Sequence, residues 1–194
     1  MSRTARVSRK TRETNISLAL NLDGEGRASV NTGIGFLDHL LAALACHARV
    51  DLDLSCEGDL NVDDHHTAED CSLAIGAASN EALGSRAGIA RFGSAYAPLD
   101  EALARAVIDL SGRPFARIVL GLRRERIGTL AAENVGHVLS SLATAARMTL
   151  HVDVSEGEND HHRAEAAFKA VALALRQAIT LDGSAIVPST KGSL

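Results

Sequence analysis

Apolar residues alternate with small or polar ones at Ile16, Leu18, Leu20 and Leu22, a period of two that predicts a half-buried strand. The turn-forming segment 22–26 (LDGEG) then leads into a predicted returning strand at 28–30. Phe36, Leu37, Leu40, Leu41 and Leu44 fall on one side of a 3.6-residue period, so a helix is expected over about 35–48. Val50, Leu52, Leu54 and Cys56 alternate as another strand, and Asp63 or Asp64 is a plausible N-cap for a long helix ending near Gly84.

The same order returns further on. Segments 103–110 and 115–120 read as strands around the turn SGRP, and a helix is expected over about 131–147. Met148, Leu150, Val152 and Val154 alternate as a strand, and Asn159 or Asp160 caps a final helix over about 160–178. Each half therefore reads strand, strand, helix, strand, helix. The expected fold class is α+β, an internally duplicated half-domain in which sheets pack with helices. The first half-repeat spans 1–93 and the second 94–194, joined through a linker at 84–98 within one compact domain.

Composition narrows the function classes. Aromatics are 3%, with no Trp, so the core must be aliphatic and there is no aromatic platform for stacking bases. A net charge of −4 gives no basic footprint for a polyanion, although the N-terminal arm MSRTARVSRKTR is locally basic and reads as disordered or as an edge strand. Neither a nucleic-acid nor a membrane partner is expected. Cys46, Cys56 and Cys71 form no C-x-x-C pair and read as buried reduced thiols. The basic N-terminus is not followed by an apolar run, so no signal peptide is expected and a cytoplasmic location is.

The chemistry lies in a repeated motif: DDHHTAED at 63–70 and NDHHRAEA at 159–166. His65 and His161 are 96 residues apart, close to half of the 194. On a helix, i and i+4 share a face while i and i+1 point about 100° apart. His65 with Glu69 can thus grip one ion and His161 with Glu165 another, while His66 and His162 must look elsewhere. His39 and His137 stand on the upstream helices, 26 and 24 residues before the respective pairs. Symmetric exchange between the halves gives two expected sites, one of His65, Glu69, His137 and His162, the other of His161, Glu165, His39 and His66. Three imidazoles and a carboxylate leave positions open on a six-coordinate ion, as catalysis requires, and suit several transition metals. The zinc-protease pattern H-E-x-x-H is absent.

With these residues in view, TGIGFLDHLLAALACHA, DDHHTAEDCSLAIG, GIARFG, LDEALARAVIDLSGRP, ENDHHRAEAAFKAVALALRQA and PSTKG together resemble the imidazoleglycerol-phosphate dehydratase family over nearly the whole chain. The resemblance implies conversion of imidazole glycerol phosphate to imidazole acetol phosphate and water in histidine biosynthesis. It implies two Mn(2+) ions per active site, acting through a substrate imidazolate held between them, and a homo-oligomer of 24 subunits built from trimers, with metal sites shared between subunits. It also places Glu13 beside the substrate as a base, and Arg91 and Arg113 on the phosphate. The tail adds Ser189, Thr190 and Lys191 to the phosphate site, while His47, Asp100 and Lys169 are candidates for proton relay or hydroxyl contact. Gly136, Val138 and Leu139 depart from the bulkier residues usual in the family, but His137 stands where the family's ligand falls. Two competing readings are a dimetal phosphate-ester hydrolase and an assembly in which the histidines only join subunits.

Overall fold

The computed structural model describes residues 3–192 and 194. The first half runs β1 (Thr4–Lys10), β2 (Thr14–Asn21), β3 (Ala28–Asn31), α1 (Gly35–Ala48), β4 (Asp51–Gly58) and α2 (His65–Leu83). The second runs β5 (Phe92–Leu99), β6 (Ala102–Asp109), β7 (Phe115–Val119), a short hairpin of β8 (Arg126–Ile127) and β9 (Leu130–Ala131), then α3 (Ala132–Ala145), β10 (Thr149–Glu156) and α4 (Asp160–Ala178).

The fold is α+β and duplicated, and the two sheets share one topology: β1-β2-β4-β3 and β5-β6-β10-β7. In each, the strand that follows the first helix of its half, β4 after α1 and β10 after α3, inserts into the middle of its sheet. β3 and β7 therefore pair parallel with β4 and β10. Segment 28–30 is thus not the returning partner expected for β2: β2 pairs with β4, not with β3. Likewise β6 pairs with β10 and does not form a hairpin with β7 across SGRP. The alternating positions explain the order, because Leu18 opposes Leu54 and Leu20 opposes Leu52 on one buried face.

Nor is 84–98 the linker expected from the sequence. Phe92–Leu99 is strand β5, and the chain before it is anchored by Arg86, whose guanidinium donates to the carbonyls of Ala146 and Arg147 and to Asn80 Oδ1. In the basic arm, Thr4–Lys10 forms edge strand β1 rather than a disordered segment, with Met1 and Ser2 outside the described residues. Each half thus opens with one strand more than its periodicity suggested.

The helix ends repeat as well. Arg49 and Arg147 adopt left-handed φ values of 57° and 53° after α1 and α3. The next amides, of Val50 and Met148, close back on the carbonyls of Ala45 and Ala143 at 3.1 and 3.0 Å. That wrapped C-terminus turns the chain directly into the central strand of each sheet.

Helices pack across the duplication: α1 lies on α4 and α2 on α3, while α2 covers β1 and β2 and α4 covers β5 and β6. Small residues allow the close approach. A Cβ on Gly93 of β5 would meet the Ala174 carbonyl oxygen of α4 at 1.9 Å, and one on Gly76 of α2 would meet the Leu142 carbonyl oxygen of α3 at 2.6 Å. The core is aliphatic as composition required, with Phe168 its largest fully buried side chain. Cys46, Cys56 and Cys71 are free, but Cys46 is exposed on α1, against the expectation that all three are buried. Among the described residues no helix is long and apolar enough to cross a membrane.

Candidate metal centre

Both His-His pairs sit at helix N-termini, where short polar side chains fix the first turn. Asp63 Oδ1 accepts the His65 amide at 2.8 Å, and Asn159 Oδ1 accepts the His161 amide at 2.9 Å. Asp64 makes no side-chain cap; its Oδ2 accepts instead from the Ala131 amide at 2.6 Å and from Asn134 Nδ2 at 3.0 Å. Burial alone would raise the Asp64 carboxyl, yet the hydrogen bonds from Ala131 and Asn134 and the charge of Arg126 hold it below the ordinary carboxylate range.

Two three-residue groups follow from this placement: His39, His161 and Glu165, and His65, Glu69 and His137, each with its donor atoms within 4.8 Å of one another. His39 Nε2 lies 3.0 Å and His161 Nε2 3.2 Å from Glu165 Oε2. In the other group His137 Nε2 lies 3.1 Å from Glu69 Oε1, and the His65 and His137 rings stack with centroids 4.8 Å apart. Burial pushes the Glu165 carboxyl up, but hydrogen bonds from Lys169 and His39 overcome it and bring the carboxyl down to about 2, so it is ionised at neutral pH. Two imidazoles converging on an anionic oxygen are a donor set that fits a divalent cation.

His66 and His162 stand apart from both groups within one chain. Each ring is turned from its neighbour, by 72° from His65 and by 89° from His161. His66 Nδ1 is held 3.0 Å from Asp59 Oδ2, and His162 Nδ1 2.7 Å from Glu101 Oε2. These hydrogen bonds raise both imidazole pKa values. Glu101 is itself brought down to about 2 by the Asn159 amide, His162 and the Glu158 amide. With Nδ1 occupied, each ring presents Nε2 outward, the orientation of a ligating histidine with a carboxylate behind it. The chain gathers three of the four donors expected at each site and leaves one histidine over in each half. His39 and His137 each cross to the other half within one chain.

The remaining candidates fall into two places. Glu13 is exposed on the β1–β2 turn, with Oε1 3.8 Å from His66 Nε2. Asp100 occupies the matching β5–β6 turn, with Oδ2 4.0 Å from His162 Nε2. The first turn is pinned to α2 by Asp70, which accepts from Thr14 Oγ1 at 2.6 Å and pairs with Arg9 at 2.5 Å. Lys169 Nζ lies 2.7 Å from Glu165 Oε1. His47 is in the last turn of α1, about 12 Å along the axis from His39 at 1.5 Å per residue, so the chain does not bring the two together.

Arg91, Arg113 and the tail meet around Asp109. Arg91 Nε and Nη2 donate to the Asp109 carboxylate at 2.7 and 3.1 Å, and Nη1 donates to the Pro188 carbonyl at 2.7 Å. Arg113 Nη2 is 3.9 Å from Asp109 Oδ2 and its side chain is 67% exposed. A turn at 189–192 follows, with the Lys191 amide on Ser189 Oγ at 3.2 Å, leaving Lys191 exposed. Arg91 sits where its amide meets the Ala178 carbonyl at the end of α4, so it is about 25 Å along that helix from His161. Asp59, Glu101 and Asn134 stand behind the histidines and carried no expected role in the sequence; Glu101 lies within LDEALARAVIDLSGRP, whereas Asp59 and Asn134 lie outside the quoted motifs.

Residues 32–175 match the family described as imidazoleglycerol-phosphate dehydratase. A dehydratase of that description from Candida glabrata is 56% identical over 97% of this chain and 98% of its own length. One from Phytophthora nicotianae is 59% identical over 99% of this chain, which spans only 42% of that longer protein. Among solved structures, imidazoleglycerol-phosphate dehydratase from Staphylococcus aureus superposes with a TM-score of 0.83 at 34% identity, covering 92% of this chain and 99% of that one. The enzyme from Pyrococcus furiosus, solved in complex with (S)-C348, gives 0.83 at 33% identity over 97% and 100%. The chain belongs to the imidazoleglycerol-phosphate dehydratase family.

Proposed function

We propose that this protein converts imidazole glycerol phosphate to imidazole acetol phosphate and water, using two divalent cations per active site, with manganese as the ion. The observation that carries the proposal is the pair of donor groups, each built across the duplication from two imidazoles and a carboxylate. Cations bound there would acidify the ring N–H of the substrate imidazole and favour its deprotonated form. His39, His161 and Glu165 would hold one ion and His65, Glu69 and His137 the other, with His66 and His162 supplying the fourth donors to sites in neighbouring subunits.

Dehydration takes a proton from carbon and delivers one to the leaving hydroxyl. Glu13 and Asp100 are the carboxylates placed for that exchange, each beside an outward-facing Nε2. Glu13 is assigned as the base that removes the carbon proton, and Lys169, already on Glu165, as the contact for a substrate hydroxyl. Arg91, which also holds the tail through the Pro188 carbonyl, receives the phosphate together with Arg113, Lys191 and the Ser189 and Thr190 hydroxyls.

A glycerol chain cannot bridge the roughly 25 Å between Arg91 and His161 along α4. This supports a site assembled from different subunits and, with the family's architecture, a particle of 24 built from trimers. A cytoplasmic setting completes the proposal, in keeping with three free thiols. Incubating the manganese-loaded protein with imidazole glycerol phosphate tests it. Formation of an enolisable ketone without inorganic phosphate is expected; phosphate release would show a hydrolase, and tight metal without turnover a structural role.

A further inference from the structure

The two donor groups come from repeated halves, yet the residues behind them differ. His65 Nδ1 lies 3.0 Å from Asn134 Oδ1, and Asn134 Nδ2 donates to Asp64 Oδ2 at 3.0 Å. Asn134 and Asp64 are 3% and 5% exposed. An ionised carboxylate only accepts, so the Asn134 atom turned to it is the amide nitrogen. Asn134 then offers its oxygen to His65, and the imidazole must carry its proton on Nδ1. The lone pair is left on Nε2, the one ring atom free to bind a cation.

The other half lacks this chain of bonds. Asn134 stands three residues before His137, and the residue three before His39 is Phe36. Phe36 packs on the His161 ring with centroids 4.9 Å apart, and among the described residues no hydrogen bond reaches His161 Nδ1. Asp160, the counterpart of Asp64, uses Oδ2 on the amides of Arg123 and Arg124 and keeps Oδ1 buried without a partner. Glu165 is also held by Lys169, whereas the residue four after Glu69 is Leu73.

We propose that the two cation sites are unequal by construction, with Asn134 as the positioning residue that makes the His65–Glu69–His137 site the tighter one. The proposal rests on the two-cation reading above. A ring fixed in tautomer and orientation loses less freedom on binding, and a hydrogen bond at Nδ1 makes Nε2 more basic; outer partners of this kind are worth about 10–100-fold in affinity. At the other site the ion must share Glu165 with an ammonium and meets a His161 ring that packs on other rings without a hydrogen bond at Nδ1.

Stepwise withdrawal of metal from the assembled manganese protein by a graded chelator, counting the ions retained, tests this. Two ions per chain are expected to leave in two phases separated by about 10–100-fold in chelator. Asn134→Leu should move the late phase towards the early one and leave the early phase where it was, which a general loosening of the fold would not do. Asn134→Ala gives the same reading if the leucine variant fails to assemble, and the wild-type curve is a test by itself. Two ions lost in a single phase from wild type, or an Asn134 variant that shifts both phases together, would overturn the inequality and leave two cations in place. Fewer than two ions per chain would overturn both readings.

Discussion

His39 of the first half faces Glu165 of the second, with Nε2 and Oε2 3.0 Å apart. His137 and Glu69 repeat the relation in the opposite sense at 3.1 Å. Each half lends a histidine to the other's His-x-x-x-Glu pair, so neither donor group exists in a single half-repeat. Packing α1 on α4 and α2 on α3 therefore creates the centre as well as the core.

Glu13 is exposed, and its turn is held by Asp70 through Thr14 and Arg9 rather than by the Glu13 side chain. Glu13→Gln should leave metal content and particle size unchanged and lower turnover by about 10²–10⁴. Steady-state rates on metal-loaded protein decide it, and an unchanged kcat would remove Glu13 from the reaction.

Lys191 and Arg91 should behave differently on substitution. Lys191 is exposed, so Lys191→Ala should weaken binding of a phosphonate mimic by roughly 1.5–3 kcal/mol with no change in melting temperature. Arg91 also ties Asp109 to the Pro188 carbonyl, so Arg91→Ala should weaken binding and make the tail more susceptible to protease. Calorimetric binding with limited proteolysis distinguishes the two, and full affinity in both variants would place the phosphate elsewhere.

The His66 and His162 imidazoles are raised by their hydrogen bonds to Asp59 and Glu101, so the charged rings stabilise the metal-free fold. That contribution is complete below the ordinary imidazole value of about 6.5 and is lost as pH rises through the raised values. A cation needs the neutral ring, so metal affinity carries the opposite sign, falling as pH drops through the same values, with protons released on binding. Titration calorimetry in buffers of different ionisation heat measures the release. Asp59→Asn should shift its midpoint down at His66, and an unshifted midpoint would exclude this coupling.

The long helices are legible in the sequence because Phe36, Leu37, Leu40, Leu41 and Leu44, and their counterparts on α3, keep a strong 3.6-residue rhythm. β5 is not, because its buried positions, Gly93 and Ala97, are small, and at Gly93 a side chain would collide with α4, so the alternation has no hydrophobic amplitude. Strand partners were misread wherever a local turn suggested a hairpin, since β4 and β10 arrive later in the chain and insert between earlier strands. The repeated histidines and glutamates could be paired from helix geometry. Asp59, Glu101 and Asn134 could not, because only the folded chain brings a strand end, a β-turn and a neighbouring helix to those rings.

His66 and His162 turn away from the donor groups of their own chain, each braced by a carboxylate at Nδ1. His66→Ala or His162→Ala should therefore reduce the large particle to smaller oligomers even with manganese present, while each chain keeps its fold. Sedimentation and circular dichroism together report both properties. A variant that stays fully assembled would show that its histidine does not join subunits.

Removal of metal tests most directly the proposal that metal sites are shared between subunits. An ion bridging two chains stabilises only their assembled form, so binding and association are linked, and closed symmetry fixes the particle that results. Light scattering on the manganese-loaded protein, after chelation at neutral pH and again after manganese is restored, should show a large particle, smaller oligomers of trimer size, and the large particle once more. A particle of unchanged mass after complete metal removal would contradict metal sites completed between subunits.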